Sequence, residues 1–489
     1  MIDLTIHEGK LQNTVRRARE RGIVIPTFEQ MKNPSLIPAT VKAGLKAHGL
    51  WDLHPLNLYR ITWKNEPVLQ GGGFGGVNYI EFPSALTGVD ARIIALIGKW
   101  FPTGAHKVGA TFGCLVPRLV TGQFDPTFHK AVWPSTGNFC RGGAYNSALL
   151  GCDSIAILPE EMSKERFAWL SKVAGEVIAT PGCESNVWEI FQKCKELQAT
   201  RDNVMIFDQF EEFGNHLWHY DVTGHAMQDV LNIELKGGRY AGVVLTSGSG
   251  GTMGCGDYLK EQYPGSKLIA SEALQCPTML ENGFGGHRIE GIGDKHIPWI
   301  HNVRNTDFAV AIDDEDPMHL IRLFNEPEGK KHLQSLGLSP AYVEALEQLG
   351  ISGVANVLAS IKFAKYNELT SSDVVLTVLT DSMEMYGTRL QELNESLGPY
   401  TTNQAAIDHS RHMLGQKTDS MQELGYRDRK RIHNLKYFTW IEQMGRSVAE
   451  LDRQWYDYDA YWGGIHSMVP AIDKLIVEFN EAVGLEAKR

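Results

Sequence analysis

The sequence lacks several features that mark other classes of protein. Its seven cysteines form no Cys-x-x-Cys pair, so we expect reduced, mostly buried thiols, and no metal site is predicted. No run approaches the roughly 18 apolar residues of a membrane-spanning helix, and the N-terminus lacks the charged-then-apolar pattern of a signal peptide. The formal net charge of −11 disfavours a nucleic-acid partner, which would require a basic face. We therefore expect a cytoplasmic protein with neither membrane nor nucleic acid as a partner.

The length of 489 residues exceeds one compact core, so we expect two domains with extensions. Residues 1–76 read as a helical and looped segment that ends in QGGGFGG, and the part after residue 390 is polar, helical and rich in aromatics. Between them, short apolar runs alternate with amphipathic stretches, which predicts an α/β fold with a largely parallel sheet. The predicted strands are Ala91–Ile97, Ser154–Leu158, Gly175–Ala179, Ala241–Leu245, Lys267–Ala270 and Asp373–Leu379.

Two patterns that mark binding sites in other proteins are interpreted here as structural. The segment YRDRKRIHNLKYF, from Tyr426, concentrates basic residues. Because the chain is acidic overall, we interpret it as a solvated helix face rather than a partner-binding patch. Gly71, Gly73 and Gly76 have the GxGxxG spacing of dinucleotide-binding loops, but they precede a strand and open no helix. An NAD-dependent oxidoreductase is therefore disfavoured.

A lysine motif follows the apolar run ARIIALIG. In the sequence TGAHKVGA, Lys107 is flanked by small residues, and aliphatic sequence lies on both sides. We therefore expect its amine to be partly buried. Burial disfavours the charged ammonium form, which makes a free amine available for Schiff-base chemistry. A surface lysine at the start of a helix is the alternative.

A second motif, Pro134-Ser135-Thr136-Gly137-Asn138, follows another predicted strand. Two hydroxyls, exposed backbone N–H groups and an amide at a strand-to-helix turn make a suitable carboxylate cradle. A helix N-cap would explain the serine and the threonine equally well.

The third motif, Ser247-Gly248-Ser249-Gly250-Gly251-Thr252, directly follows the apolar run AGVVLT. Glycines let the backbone curl so that successive N–H groups point at one anion, and the following helix adds its positive end. The motif predicts a phosphate site, although it lacks the Gly-Lys-Ser/Thr of a Walker loop. A buried amine, a carboxylate cradle and a phosphate cradle are together what pyridoxal phosphate requires with an amino-acid substrate.

With these motifs in this order, the chain resembles the fold-type-II pyridoxal-phosphate enzymes, and cysteine synthase more closely than its relatives, over residues 77–390. The resemblance extends to ILPEEMSKERFAWLSKVAGEVIATPG from Ile157, DQFEEFGNHLWHYDVTGHAM from Asp208, HRIEGIGDKHIP from His287 and LTVLTDSMEMYGT from Leu376. It implies two three-layer α/β/α domains with mostly parallel sheets and helical extensions at both ends. The implied division is an extension over 1–76, a large cofactor-binding domain over 77–112 and 215–390, a small mobile domain over 113–214, and a helical extension over 391–489.

The resemblance also implies roles for individual residues. Lys107 would form the Schiff base with pyridoxal 5′-phosphate and move the Cα proton, and Asn138 would hydrogen-bond the phenolic oxygen of the cofactor. His106 would lie near the phosphate, as in the β subunit of tryptophan synthase, unless it only packs. The residues implied to hold the phosphate are Ser247, Gly248, Ser249, Gly250, Gly251 and Thr252. Those implied to hold the substrate carboxylate are Ser135, Thr136, Gly137 and Gln209.

The sequence departs from the family pattern at two places. Small and aromatic residues usually follow the family's Gly-Ile-Gly, whereas Asp294, Lys295 and His296 follow it here. These positions face the substrate in the family, so a larger or charged substrate side chain is implied. The position that meets the pyridine nitrogen, commonly a serine, falls on Asp381 or Ser382, and we favour Asp381. A carboxylate there would keep the nitrogen protonated, whereas a hydroxyl would leave it neutral.

The activity implied by the resemblance is that of an enzyme acting on a β-substituted amino acid, polar or charged, through an aminoacrylate intermediate. We favour β-elimination, which releases a keto acid and ammonia, with β-replacement of the cysteine-synthase type as the alternative. A cofactor-bearing regulatory protein whose chemistry is lost is an alternative from another class. The intact Lys107, Asn138 and glycine loop argue against it. A homodimer is implied by the resemblance only.

Overall fold

The computed structural model describes residues 1–67, 70–135, 137–182 and 186–485. The strands in these ranges are Tyr79–Phe82 (β1), Arg92–Ile97 (β2), Lys130–Pro134 (β3), Asp153–Pro159 (β4), Glu176–Thr180 (β5), Val204–Ile206 (β6), Arg239–Thr246 (β7), Lys267–Ala273 (β8), Phe308–Ile312 (β9), Asp373–Leu379 (β10) and Met421–Glu423 (β11). The α-helices are Glu8–Arg21 (α1), Phe28–Lys32 (α2), Ala39–Leu45 (α3), Ser84–Thr87 (α4), Lys107–Val120 (α5), Asn138–Leu149 (α6), Lys164–Val173 (α7), Val187–Thr200 (α8), Phe213–Trp218 (α9), Gly224–Glu234 (α10), Met253–Gln262 (α11), Thr278–Glu281 (α12), Glu315–Asn325 (α13), Pro327–Ser335 (α14), Pro340–Ala345 (α15), Ile351–Tyr366 (α16), Gly387–Leu397 (α17), Thr402–Asp408 (α18), Tyr426–Lys436 (α19), Val448–Tyr456 (α20), Tyr458–His466 (α21) and Val469–Val483 (α22).

The larger sheet has the strand order β1-β2-β10-β7-β8-β9-β11. Its five central strands run parallel, whereas β1 and β11 pair antiparallel at the two edges. Alternate residues of a strand point to opposite faces, and in β2 Ile94 and Leu96 join one buried cluster while Ile93 and Ala95 join another. Because both faces are covered, the strands are near-continuous apolar runs. This sheet is the middle of three layers.

The smaller sheet contains four parallel strands in the order β5-β4-β3-β6. Its strands also bury both faces, since Val132 packs in a cluster with Ile190 of α8 and the next residue, Trp133, packs in the main core. Helix α6 follows β3 directly. The predicted α/β class with mostly parallel sheets is confirmed.

All six predicted strands are confirmed, with ends that differ from the prediction by at most three residues. Strand β11 lies in the part after residue 390, where the sequence shows few strand signals, and its three residues are too short for a periodic pattern. The smaller sheet is formed by strands between residues 130 and 206, inside the segment 113–214. The division into a large and a small mobile domain stays a prediction.

The basic segment after residue 425 forms α19, and its interpretation as a solvated face is wrong in part. Lys436 is fully buried, and its Nζ donates to the backbone carbonyls of Trp299 at 2.8 Å and His301 at 2.7 Å. Arg429 pairs with Asp307 at 2.8 Å. These basic side chains attach the C-terminal part to the rest of the protein.

Two further expectations concern the thiols and the membrane. The six cysteines within the described ranges are free and buried, as predicted, and Cys183 lies outside those ranges. Among the helices that the structure describes, none combines the length and the apolar character needed to cross a membrane.

Candidate active site

One cavity brings together residues from all three predicted motifs. The predicted residues that line it are His106, Lys107, Ser135, Asn138, Gln209, Gly248, Ser249, Gly250, Thr252 and Asp294. They come from loops that follow β2, β3 and β7 and from the chain after β6 and β8. Parallel strands place the loops at their carboxyl ends on one side of a sheet, which is where α/β proteins form their sites. The cavity therefore lies where the two sheets present these loops to each other.

Lys107 is the first residue of α5, and the chain makes a strained turn to bring it there. Thr103 and Gly104 have φ values of +67° and +68°, and the left-handed region is unfavourable for a threonine. The turn is fixed by Arg141, whose Nη2 donates to the carbonyl oxygen of Thr103 at 2.9 Å. The partly buried Lys107 donates from Nζ to Ser249 Oγ at 2.9 Å. The amine thus lies against the glycine-rich turn.

The glycine-rich turn, Ser247 to Thr252, connects β7 to the ten-residue helix α11. Gly250 has a φ of +74°, and a Cβ added to Gly248 would lie 2.6 Å from the carbonyl oxygen of Gly291. A side chain is therefore excluded at both positions, by conformation at one and by close approach at the other. The turn supplies backbone N–H groups and the positive end of α11 to the cavity. Ser247 and Gly251 belong to the turn but do not line the cavity.

The carboxylate turn connects β3 to α6. Ser135 Oγ accepts a hydrogen bond from the backbone N–H of Gly137 at 3.1 Å, and Asn138 opens α6. Thr136, predicted to bind substrate, lies outside the described residues. Gly137 does not line the cavity, and a Cβ added there would lie 2.4 Å from Nη1 of Arg166.

His106 is fully buried beside Lys107. Within the described part of the chain, neither of its ring nitrogens has a hydrogen-bond partner. Burial, reinforced by the charge of Lys107, lowers the pKa of His106 to about 3, so the ring is neutral and one nitrogen carries a proton. A buried donor without an acceptor is costly, and it is aimed into a cavity that a ligand can fill.

Asp294 lines the cavity, and burial raises the pKa of its carboxyl to about 7, against the opposing effect of Lys107. The next two residues do not line this cavity, so their role toward the substrate stays a prediction. Lys295 and His296 line a separate cleft with Trp188, and the His296 ring packs on Phe210 with centroids 4.6 Å apart. This aromatic contact turns the chain away from the cavity directly after Asp294.

Asp381 and Ser382 are buried, but Thr380, the residue before them, is the one that lines the cavity. Asp381 Oδ2 instead accepts hydrogen bonds from Asn138 Nδ2 and from Tyr386 Oη, both at 2.7 Å. Burial raises the pKa of its carboxyl. The prediction that one of these two residues meets the ring nitrogen thus finds no support in their placement, and Asp381 holds Asn138 in position.

Sequence reasoning missed three polar residues of the site. Asn215 Nδ2 donates to Ser249 Oγ at 3.0 Å, and Asn356 and Thr380 line the cavity. Asn215 lies within the quoted stretch from Asp208 and Thr380 within the one from Leu376, so a closer reading of those stretches could have found both. Asn356 lies in the interior of α16 and carries no local signal.

Comparison with known proteins gives the family. Residues 101–332 match the family model described as pyridoxal-phosphate dependent enzyme. A probable cysteine synthase of Bacillus subtilis is 30% identical over 297 residues, which are 60% of this chain and 88% of that protein. Cystathionine beta-synthase of Saccharomyces cerevisiae is 25% identical over 320 residues. These residues are 63% of this chain and 59% of that relative. A hydrogen sulfide-producing enzyme from Fusobacterium nucleatum has a similar structure, with a TM-score of 0.55 and 21% identity over 63% of this chain and 96% of that one.

The cavity fits the cofactor of this family. Lys107 offers an amine at the glycine-rich turn, the turn offers N–H groups for a phosphate, and the buried ring of His106 offers an unpartnered donor beside them. Asn138 and Ser135 line the same cavity. The chain belongs to the pyridoxal-phosphate-dependent enzyme family, and pyridoxal 5′-phosphate is its cofactor.

Proposed function

We propose that the protein is a lyase that eliminates the β substituent of a polar or charged β-substituted amino acid, with Lys107 as the residue that carries the cofactor. One observation carries this proposal: the Nζ of Lys107 lies 2.9 Å from Ser249 Oγ in the glycine-rich turn, while Ser135 of the carboxylate turn lines the same cavity. When bound, pyridoxal phosphate supplies an aldehyde that takes up an amino group and a ring that withdraws electrons from Cα.

The side chains of the cavity divide the remaining work. Ser135 and Gln209 bind the substrate carboxylate and orient the amino acid, and the glycine-rich turn binds the phosphate. Lys107 removes the Cα proton as a base once its amine is released from the cofactor. The neutral ring of His106 would offer the bound cofactor a hydrogen-bond donor without adding charge.

Asp294 supports departure of the β substituent, the step with which both β-elimination and β-replacement begin. It is the only carboxyl group among the described lining residues, and its pKa of about 7 lets it hold a proton at neutral pH. A proton donor beside the β carbon assists departure of the β substituent. Asp294 could also form a hydrogen bond or an ion pair with a polar or charged β substituent. This supports the proposed substrate class.

β-Replacement is the second candidate, because two curated relatives carry the names cysteine synthase and cystathionine beta-synthase. A product assay separates the two. Incubation of the holoenzyme with β-substituted amino acids should release a keto acid and ammonia without any added thiol. If products form only with a thiol, and are substituted alanines, replacement is the activity. If neither product forms with any substrate, the regulatory alternative holds.

We also propose that the protein is a homodimer in the cytoplasm. This rests on the resemblance to cysteine synthase alone. Light scattering on the holoenzyme should give twice the chain mass of 54.5 kDa. A single-chain mass at micromolar concentration would refute the dimer.

A further inference from the structure

Two histidines and one aspartate form a second cluster, outside the described lining of the cavity. One donor atom of each side chain lies close to the other two. The Nε2 atoms of His216 and His466 lie 3.0 Å apart, and Asp257 Oδ2 lies 3.6 Å from the first and 3.8 Å from the second. The point equidistant from these three atoms is about 2.0 Å from each, the distance at which Zn²⁺ binds imidazole nitrogen and carboxylate oxygen. We propose that His216, Asp257 and His466 bind a divalent transition-metal ion of the Zn²⁺ type.

The surroundings of His466 orient its Nε2 toward this point. Its Nδ1 lies 3.5 Å from Glu261 Oε1, and its ring stacks on Tyr220 with centroids 3.7 Å apart. Tyr220 Oη in turn donates to Glu261 at 2.6 Å. An acceptor at Nδ1 places the ring proton on that nitrogen and leaves the Nε2 lone pair for a metal, as outer carboxylates do at metal-binding histidines.

The carboxylate is held in the same way. Asn302 Nδ2 donates to Asp257 Oδ2 at 2.8 Å, and Asn305 donates to the other oxygen. Asp257 is buried, and no Lys or Arg pairs with it within the described part of the chain. A buried carboxylate needs a compensating positive charge, and a bound dication supplies it.

The chemistry of the three donors selects the kind of ion. Two of the three donors are imidazole nitrogens and the third is a carboxylate oxygen. Imidazole nitrogen suits Zn²⁺ and its neighbours in the first transition row, whereas Mg²⁺ and Ca²⁺ take oxygen donors. A surface cleft lined by Asp257, Glu261 and His466 gives solvent access, so that water can complete the coordination.

The three ligands join parts of the chain that are far apart in sequence. His216 lies in α9, Asp257 in α11 and His466 at the end of α21. Helix α11 begins directly after the glycine-rich turn, and α21 belongs to the C-terminal extension. The ion therefore ties the extension, whose role the active site does not explain, to the helix that carries the phosphate turn.

The test is metal binding by the full-length holoenzyme after treatment with a chelator. Zn²⁺ should bind at one equivalent per chain and raise the thermal midpoint, Co²⁺ should give the visible d–d bands of a four-coordinate site, and Mg²⁺ should do neither. His466→Ala should lose this equivalent and both signals. Glu261→Gln should keep the stoichiometry and weaken the affinity 10- to 100-fold.

His7→Ala, a change at an exposed histidine, is the matched control and should bind as the natural protein does. Without metal, the alternative is a plain hydrogen bond between the two imidazoles. Absence of a stoichiometric site in the natural protein, or equal binding by His466→Ala, would establish that alternative and overturn the proposal. Because wild-type stoichiometry is measured first, the test does not depend on the folding of any variant.

Discussion

The two turns that meet at the cavity are fixed in different ways. The glycine-rich turn depends on its own glycines, since Gly250 is left-handed and Gly248 leaves room for the backbone of Gly291. The carboxylate turn depends on contacts between the two sheets. Asn138 donates to Asp381 at 2.7 Å, across 243 residues of sequence. The sequence predicts both turns, but it does not predict the long-range contact that holds Asn138.

The contacts between the sheets form a buried network around Arg166 of α7. Its Nη2 donates to Tyr386 Oη at 3.0 Å, and its Nη1 pairs with Glu290 at 2.9 Å. Tyr386 in turn donates to Asp381. Damage to the glycine-rich turn should therefore affect mainly the binding of the phosphate, whereas damage to this network should disturb the carboxylate turn and affect mainly substrate binding and stability.

The largest expected effect is that of Lys107→Ala. It removes both the amine that carries the cofactor and the base for the Cα proton, so we expect kcat to fall by about 10³-fold or more. The absorbance of the lysine-bound cofactor should be lost at the same time. Lys474→Ala, at an exposed lysine of α22, is the control and should retain both. Normal turnover by Lys107→Ala would contradict the assignment.

Gly250→Asp tests the glycine-rich turn. A carboxylate there repels the phosphate, and a side chain strains the left-handed backbone, so cofactor affinity should fall by roughly 100-fold. Gly265→Asp is the matched control, because Gly265 also has a positive φ, of +95°, but nothing lies near its Cβ position. Equal cofactor affinities for the two variants, from titration of the apoproteins, would remove the phosphate role from this turn.

Arg166→Ala tests the network between the sheets. It leaves buried carboxylate and hydroxyl groups without this partner, so the free energy of unfolding should fall by about 3 kcal/mol, measured by urea denaturation. KM should rise by a larger factor than the dissociation constant of the cofactor does, the reverse of Gly250→Asp. Arg389→Ala also removes a partner of Glu290, but from a more exposed position, so its cost should be about 1 kcal/mol. If Arg166→Ala lowers cofactor affinity as Gly250→Asp does, the two turns do not act separately.

The smallest expected effect is the pH dependence of turnover that the Asp294 carboxyl causes. The folded-state pKa of this carboxyl is about 7, against an ordinary value of 3.8, so its acid form is present below pH 7 and lost above it. Turnover should therefore fall as pH rises through 7, because the proton donor to the leaving group is lost. In Asp294→Asn this step should vanish and kcat should be about tenfold lower at pH 6. An unchanged pH profile in the variant would assign the step to another group.

Local chemistry explains which features could be predicted from sequence. Buried parallel strands are near-continuous apolar runs, so Asp373–Leu379 was predicted without error at either end. The glycine-rich turn and the lysine motif are contiguous in sequence, and the structure brings both to the cavity. By contrast, the orientation of the His296 side chain depends on its packing against Phe210. The burial of Lys436 depends on hydrogen bonds to backbone carbonyl groups more than 130 residues away in sequence. Neither contact leaves a local pattern.

The most direct test of the central claim is to find the lysine that holds the cofactor. Borohydride reduction of the holoenzyme fixes the cofactor to its lysine, and peptide mass spectrometry then gives the position. We expect the pyridoxyl group on Lys107. Lys436, a fully buried lysine outside the cavity, is the strictest internal comparison. A pyridoxyl group on Lys436, or on any lysine other than Lys107, would contradict the account.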